Sequence, residues 1–289
     1  TAFRSFTGGL VAPESNDNPW GYKFTWNPMN VVLAAQTVAG YINGGKKKYL
    51  SSYNVFKEHN LIKTPEQDFD GYYNRDSIAY RKKYDLEHVD TFIRGTLRGK
   101  GFCEAWQVFV DLGFTHHKTK INVSGLSIKE VVMSFILMRN QTNDFWESLA
   151  NQVGGFNEYT KKCLAYLEVD SDKVLPLEVV SPAEYLLFIL KDKWRLEKGD
   201  KDRIVLHHEI EAKKDGISKT FSAILDLKGE DESKTAIAKT VSLPSAIGAT
   251  LIVEGNLSSF SGVQIPIFPE VYNPVMQKLE ELGVSMKDF

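Results

Sequence analysis

Val89-Asp90-Thr91-Phe92-Ile93-Arg94-Gly95-Thr96-Leu97-Arg98-Gly99-Lys100-Gly101-Phe102-Cys103-Glu104-Ala105-Trp106-Gln107-Val108-Phe109-Val110-Asp111-Leu112-Gly113 joins two periodicities through a glycine-rich turn. Val89–Arg98 carries β-branched and aromatic residues and reads as a strand. Residues 102–112 place Cys103, Trp106, Gln107 and Val110 on one helical face, with Gly113 as the stop. Side chains alternate across a strand, so Phe92, Arg94, Thr96 and Arg98 share one face, and Thr91, Ile93 and Leu97 the other. Two guanidiniums and a hydroxyl beside a glycine turn suit a ligand with carboxylates, which arginine grips bidentately. A solvated strand face or structural ion pairs would read the same way.

Upstream, residues 1–27 are loop-rich, and Asn27-Pro28 makes a helix start for 28–43, stopped by Gly44-Gly45. Residues 46–73 read as short strands and loops, followed by Tyr72-Tyr73-Asn74-Arg75-Asp76-Ser77. That run fits either a second carboxylate clamp or a turn in which Asp76 neutralises Arg75. Downstream, Ile128–Met138, Asn143–Val153, Asn157–Leu167 and Pro182–Lys193 all read as helices. From Arg203 strands return: Ile204–Ala212 and Ile217–Leu227 flank Asp215-Gly216, a hairpin signal. Ser233–Val253 reads as an Ala-rich helix that Pro244 should kink or divide, and a last helix covers about 270–282. The expected class is α+β: a mainly antiparallel sheet with helices on one face, formed from 1–125 and 201–289, and an all-helical insertion at 126–200.

Composition narrows the function. The chain has 35 basic and 37 acidic residues, which gives no support to nucleic-acid or membrane-surface binding. No apolar run near eighteen residues stands out, so no transmembrane helix is expected. Cys103 and Cys163 lie sixty residues apart with no metal-ligand spacing, as expected of buried thiols in a reducing, cytoplasmic setting. His116-His117 sits in a polar loop, and His207-His208 in a strand, where the two rings point to opposite faces. There is no HExxH, GxSxG or GxGxxG, so neither a metal site nor a dinucleotide fingerprint is expected. The chain opens on Thr1 with an abrupt strand, as expected of a piece of a longer protein.

Several runs in order resemble the saccharopine reductase (saccharopine dehydrogenase) family. Thr7-Gly8-Gly9-Leu10, Ala12-Pro13-Glu14, Asp17-Asn18-Pro19-Trp20-Gly21-Tyr22-Lys23-Phe24 and Trp26 resemble the segment that follows the family's Rossmann domain. Asn74-Arg75-Asp76-Ser77 and Arg94-Gly95-Thr96-Leu97-Arg98 with Gly101-Phe102 match in residues and spacing. Thr240-Val241, Pro244, Ala246-Ile247, Glu254-Gly255, Gly262-Val263 and Pro266 resemble its C-terminal segment. The resemblance is close over 7–28, 71–113 and 205–280, and weak over 29–70 and 118–200.

The resemblance implies an oxidoreductase of lysine metabolism that interconverts saccharopine with glutamate and 2-aminoadipate 6-semialdehyde using NADP or NAD. It implies that Arg75 and the run Thr96-Leu97-Arg98 bind substrate carboxylates and that Asn27 touches the cofactor. It also implies a homodimer, with 233–289 packing partly against a nucleotide-binding domain outside this chain. Exposed apolar surface near Ile237, Val241 and Ile247 would follow. Thr7 stands where fungal members carry a cysteine, so any acid–base role there is weak in a hydroxyl, and Gly99 replaces an aromatic residue. A related imine reductase acting on polyamine carboxylates, such as a carboxynorspermidine dehydrogenase, or a non-catalytic binding or dimerisation module would share the same arginines.

Overall fold

The computed structural model describes residues 1–289 and every side chain except that of Ala35. In chain order the elements are β1 (Ala2–Val11), α1 (Pro28–Val32), β2 (Ala39–Asn43), β3 (Lys46–Leu50), β4 (Asn60–Lys63), β5 (Asp68–Tyr73), α2 (Ile78–Lys83), β6 (Thr91–Gly99) and α3 (Phe102–Leu112). Then come β7 (Ile121–Asn122), α4 (Ile128–Ser134), α5 (Phe145–Val153), α6 (Glu158–Tyr166), β8 (Val179–Val180) and α7 (Pro182–Lys193). The chain closes with β9 (Asp202–Lys214), β10 (Ile217–Lys228), α8 (Ala236–Val253), α9 (Pro269–Glu281) and β11 (Lys287–Asp288). The fold is α+β, with a mainly antiparallel sheet.

The main sheet runs β11-β10-β9-β1-β6-β2-β3, and β5, carrying β4 on its outer side, also pairs β6. Only β1 and β6 run parallel. Asp215 and Gly216, both at positive φ (51° and 81°), close the β9–β10 hairpin, as a two-residue turn of matching twist requires. Asp70 of β5 anchors the helix after β6: its buried Oδ2 accepts the backbone N–H groups of Gly101 (2.9 Å) and Cys103 (3.0 Å). These are donors that a helix start otherwise leaves unpaired.

The helix expected over 28–43 ends far sooner. Asn27 does cap it, its Oδ1 accepting Met29 N–H at 3.1 Å, but α1 stops at Val32 and a 3-10 turn carries the chain to β2. Gly44 and Gly45 (φ 57° and 74°) form the β2–β3 hairpin turn and not a helix stop. A glycine pair serves both ends equally well, and the pairing of Ile42 with Phe92 of β6 decides for the strand. Four helices form in the 126–200 stretch, each with its own cap, although the first stops at Ser134, short of the expected Met138. Ser127–Glu130 and Ser181–Glu184 are reciprocal capping boxes, and Asp144 and Asn157 cap singly. A two-residue ladder, β7 with β8, lies partly within that stretch and was not foreseen. Helix α8 continues through Pro244 undivided.

One hydrophobic core joins the sheet to α3–α7. Phe6, Leu97, Val205 and Ile224 enter it from the sheet, and at its centre Trp20 packs edge-on against Trp106 and Trp194, which are tilted 33° to each other (ring centroids 5.3–6.0 Å). The residues that alternate with these, Ile204, Leu206, Leu225 and Leu227, face the other way and meet α8 and α9. The main body of helices covers one face, and the α8–α9 pair lies on the other, at the β9–β10 end. Cys103 and Cys163 are buried free thiols.

Helix α8 also corrects the membrane reading. Its eighteen residues have a mean hydropathy of 1.5, long and apolar enough by length and composition to cross a membrane. Lys239, Thr240, Ser242, Ser245 and Thr250 interrupt the run, which is why no continuous apolar stretch is visible. Ile237 and Ile247 pack partly against Ile204 and Leu225, whereas Val241, Ile252 and Val253 are exposed. The apolar surface expected at this helix is therefore present at Val241 and half covered at the other two positions.

A Cβ at Gly95 would lie 2.2 Å from the ring of Phe6 and 2.8 Å from the Tyr72 carbonyl oxygen. Gly95→Ala is expected to destabilise the chain by about 1–3 kcal/mol through overpacking, measured as a lowered denaturation midpoint with unchanged slope.

Candidate functional site

The cleft is built on the sheet face that α8 and α9 only partly cover. Register sets its floor: Thr96 of β6 lies beside Thr7 of β1, which lies beside Leu206 of β9 and, through it, Leu225 of β10. One row over, Arg94, Ser5 and His208 line up across the same strands. Two lobes of about 670 Å³ and 620 Å³ open on this floor. They share Trp26, Asn74, Thr96 and Arg98, so they form one trough. The larger lobe is walled by apolar residues of β9, β10, α8 and α9. The smaller is lined by Arg75, Arg94, Tyr73, Tyr80 and Asp76.

Arg98 dominates the electrostatics. Its side chain is 3 % exposed, yet it donates a single bond, from Nη1 to the Leu97 carbonyl (2.9 Å), and its Nε has no partner. Aromatic rings surround it: Tyr22 at 4.9 Å, Phe102 at 5.5 Å and Tyr72 at 5.9 Å. Among the described residues, arginine ion pairs are confined to Arg4, Arg195 and Arg203. A guanidinium cannot shed its charge, so one buried without a counter-ion is poorly compensated until an anion reaches it. Burial also pushes the Tyr22 and Tyr72 hydroxyls above the usual phenol range, which keeps the wall neutral.

The Asn74–Ser77 run resolves as a turn, but without the ion pair a turn suggested. Asp76 Oδ1 accepts Ile78 N–H at 2.8 Å and starts α2, leaving Arg75 exposed at the mouth of the smaller lobe. Arg75 sits at φ 45°, and its carbonyl accepts Gly40 N–H at 2.8 Å, so the strained turn is held from β2.

The trough thus brings together Arg75, Thr96 and Arg98. Thr7 is exposed on the larger lobe beside Thr96. Leu97 points into the core, fully buried, and offers the site only the carbonyl that orients Arg98. Asn27 is outside the lining of either lobe; its side chain is spent capping α1, and it is the neighbouring Trp26 that lines both. The His207-His208 doublet places one ring on each face of a strand, and sequence alone favours a satisfied cross-strand partner over a place in the site; His208 is the one that meets the cavity. It lines the larger lobe with its Nδ1 buried and unpaired, and burial, then His207, pushes its pKa down. His207 faces away, beside Phe289. No group of three or more metal-ligating side chains occurs among the described residues.

An open trough floored by a sheet, with three arginines and two threonines and an apolar far wall, has the chemistry that suits a small polyanion. The sequence profile of the saccharopine dehydrogenase C-terminal domain matches residues 1–284, and the chain belongs to that family. It is 29% identical over 99% of its length to the saccharopine dehydrogenase [NADP(+), L-glutamate-forming] of Pyricularia oryzae. It is 27% identical, again over 99%, to the alpha-aminoadipic semialdehyde synthase of Arabidopsis thaliana. The apo saccharopine dehydrogenase (L-Glu forming) of Saccharomyces cerevisiae superposes on the whole chain with a TM-score of 0.88 at 27% identity, covering 67% of that structure. The chain spans 66% of the length of the Pyricularia protein and 29% of the Arabidopsis one.

Because Arg98 lacks a counter-ion, Arg98→Met should raise the stability of the ligand-free chain by about 1–3 kcal/mol, read by thermal or chemical denaturation. The same variant should lose anion-dependent stabilisation. A lower melting temperature without ligand would mean that the aromatic cage outweighs the missing countercharge.

Proposed function

We propose that this chain is the substrate-binding and dimerising part of a saccharopine dehydrogenase, interconverting saccharopine with glutamate and 2-aminoadipate 6-semialdehyde. Residues 1–125 and 201–289 would form the binding and dimerising domain, with 126–200 as a helical insert and the setting cytoplasmic. The observation that carries the reading is the buried, uncompensated guanidinium of Arg98, in one trough with Arg75 and Thr96. Saccharopine has three carboxylates and a secondary amine, and the two halves of the reaction meet as an imine between the aldehyde carbon and the glutamate nitrogen.

In the reductive direction a hydride adds to the imine carbon and a proton to its nitrogen. The relatives' names give NADP as the hydride carrier, and for this chain NADP or NAD is proposed. The residues present fit one side of such a carrier. The larger lobe offers an apolar wall of Trp26, Met276 and Met286 beside the Thr7-Gly8-Gly9 backbone, with no glycine-rich phosphate loop in the sequence. The bound group would supply the hydride. The chain's own residues would hold the carboxylates at Arg98 and Arg75, orient the imine over Thr96 and Thr7, and exclude water with the aromatic wall. A polyamine carboxylate is a poorer match, because its several ammonium groups would lie against Arg75, Arg94 and Arg98 with a single carboxylate to offset them.

Calorimetric titration of the chain with saccharopine should show binding that Arg98→Gln weakens by tenfold or more, the scale expected for a desolvated bidentate contact. In an enzyme carrying the nucleotide-binding domain, Arg75→Ala and Arg98→Ala should raise the KM for saccharopine and leave that for the nicotinamide cofactor unchanged. Equal effects on both constants would point to misfolding, and no effect on either would remove these arginines from the site.

A further inference from the structure

Arg94 lines the smaller lobe only, whereas Arg98 lies at the junction of the two lobes. The two share a face of β6 four residues apart, about 13 Å between Cα atoms on an extended strand. Arg98 is sealed under aromatic rings, whereas Arg94 lies over one ring only, its guanidinium carbon 3.9 Å from the centre of Tyr80. Stacking fixes the plane of a guanidinium and leaves its edge free to donate. The Arg94 side chain makes no hydrogen bond or ion pair among the described residues, and its backbone N–H and carbonyl are both held by the Asn74–Ser77 turn. Ser77 Oγ accepts Arg94 N–H at 3.2 Å, and the Arg94 carbonyl accepts Asn74 N–H at 3.0 Å. Only the guanidinium edge is uncommitted, and it lines the smaller lobe.

We infer that Arg94 is a specificity-determining residue, holding the carboxylate at the end of the ligand remote from Arg98. The inference rests on the saccharopine reading and extends it: the trough measures length as well as charge. Two guanidiniums carried by Cα atoms about 13 Å apart on one strand face can be bridged by two amino acids joined through a secondary amine, which carry carboxylates at both ends. Free glutamate has both carboxylates on one short skeleton and reaches one end only. The tilt of Arg94 is set by Tyr80 on α2, so the far anchor is built by the turn that also carries Arg75.

Calorimetry of the chain with saccharopine and, separately, with glutamate tests this. The unmodified chain should bind saccharopine at least tenfold tighter than glutamate. Arg94→Gln should weaken saccharopine tenfold or more and change glutamate less than twofold. Arg94→Lys, which keeps the charge and loses the fork, should fall between and carries the test if the glutamine variant folds poorly. Arg98→Gln should weaken both ligands. Saccharopine binding within twofold of normal in Arg94→Gln would overturn the inference and leave the saccharopine reading standing. So would an equal loss for both ligands, which marks a general disturbance of the site, or equal affinity of the unmodified chain for both. If the unmodified chain binds neither ligand, the functional reading fails together with the inference.

Discussion

One edge of the Phe6 ring sits against the backbone of β6 at Gly95, and the site depends on that contact. A β-carbon at Gly95 would stand inside the ring, and one at Gly71 would touch it at 3.1 Å, so two neighbouring strands are pared to bare backbone to receive one side chain. With Phe6 seated, β1 lies beside β6 in parallel and Thr7 falls next to Thr96. The same strand must then satisfy two environments. Ile93 and Leu97 fill the core on one side, while Arg94, Thr96 and Arg98 face the trough on the other. A slip of one residue would exchange the two sets, which would bury guanidiniums in the aromatic core.

Much of this was legible in the sequence, because it depends on local chemistry. The Asp-Gly turn of β9–β10, the α3 boundaries and the capped helices of 126–200 each follow from signals a few residues long. The face assignment of β6 followed from alternation alone. The failures are long-range. Gly44-Gly45 reads as a helix stop unless the pairing of Ile42 with Phe92 is known, and the side of the sheet that α8 takes is set by where Ile204 and Leu225 point. His208 was illegible for the same reason. The capping role of Asn27 is legible from the Asn-Pro pair, whereas the bond from Arg98 to the Leu97 carbonyl has no local signal.

The trough is asymmetric in solvation. At the Arg98 end the charge is stripped of water by Tyr22, Tyr72 and Phe102, where an ionic hydrogen bond is strong and a mismatch is costly. At the Arg75 end the guanidinium is in water, where attraction is screened and exchange is fast. An anion entering from the Arg75 side therefore moves from a weak, forgiving contact to a strong, selective one.

Lys23 is 2 % exposed and is held at 2.7 Å by both Asp17 and Asp200. Asp17 belongs to the loop after β1, and Asp200 to the segment that returns the chain from α7 to the sheet. One ammonium therefore ties the loop after β1 to the exit of the helical block, and Trp20, from the same loop, adds a second fastening within that block by donating to the Cys163 carbonyl at 2.8 Å. Fastened at these two points, the helical block and the sheet share one packed interior. A change of volume in that interior would therefore be felt on the floor of the trough as well as among the helices.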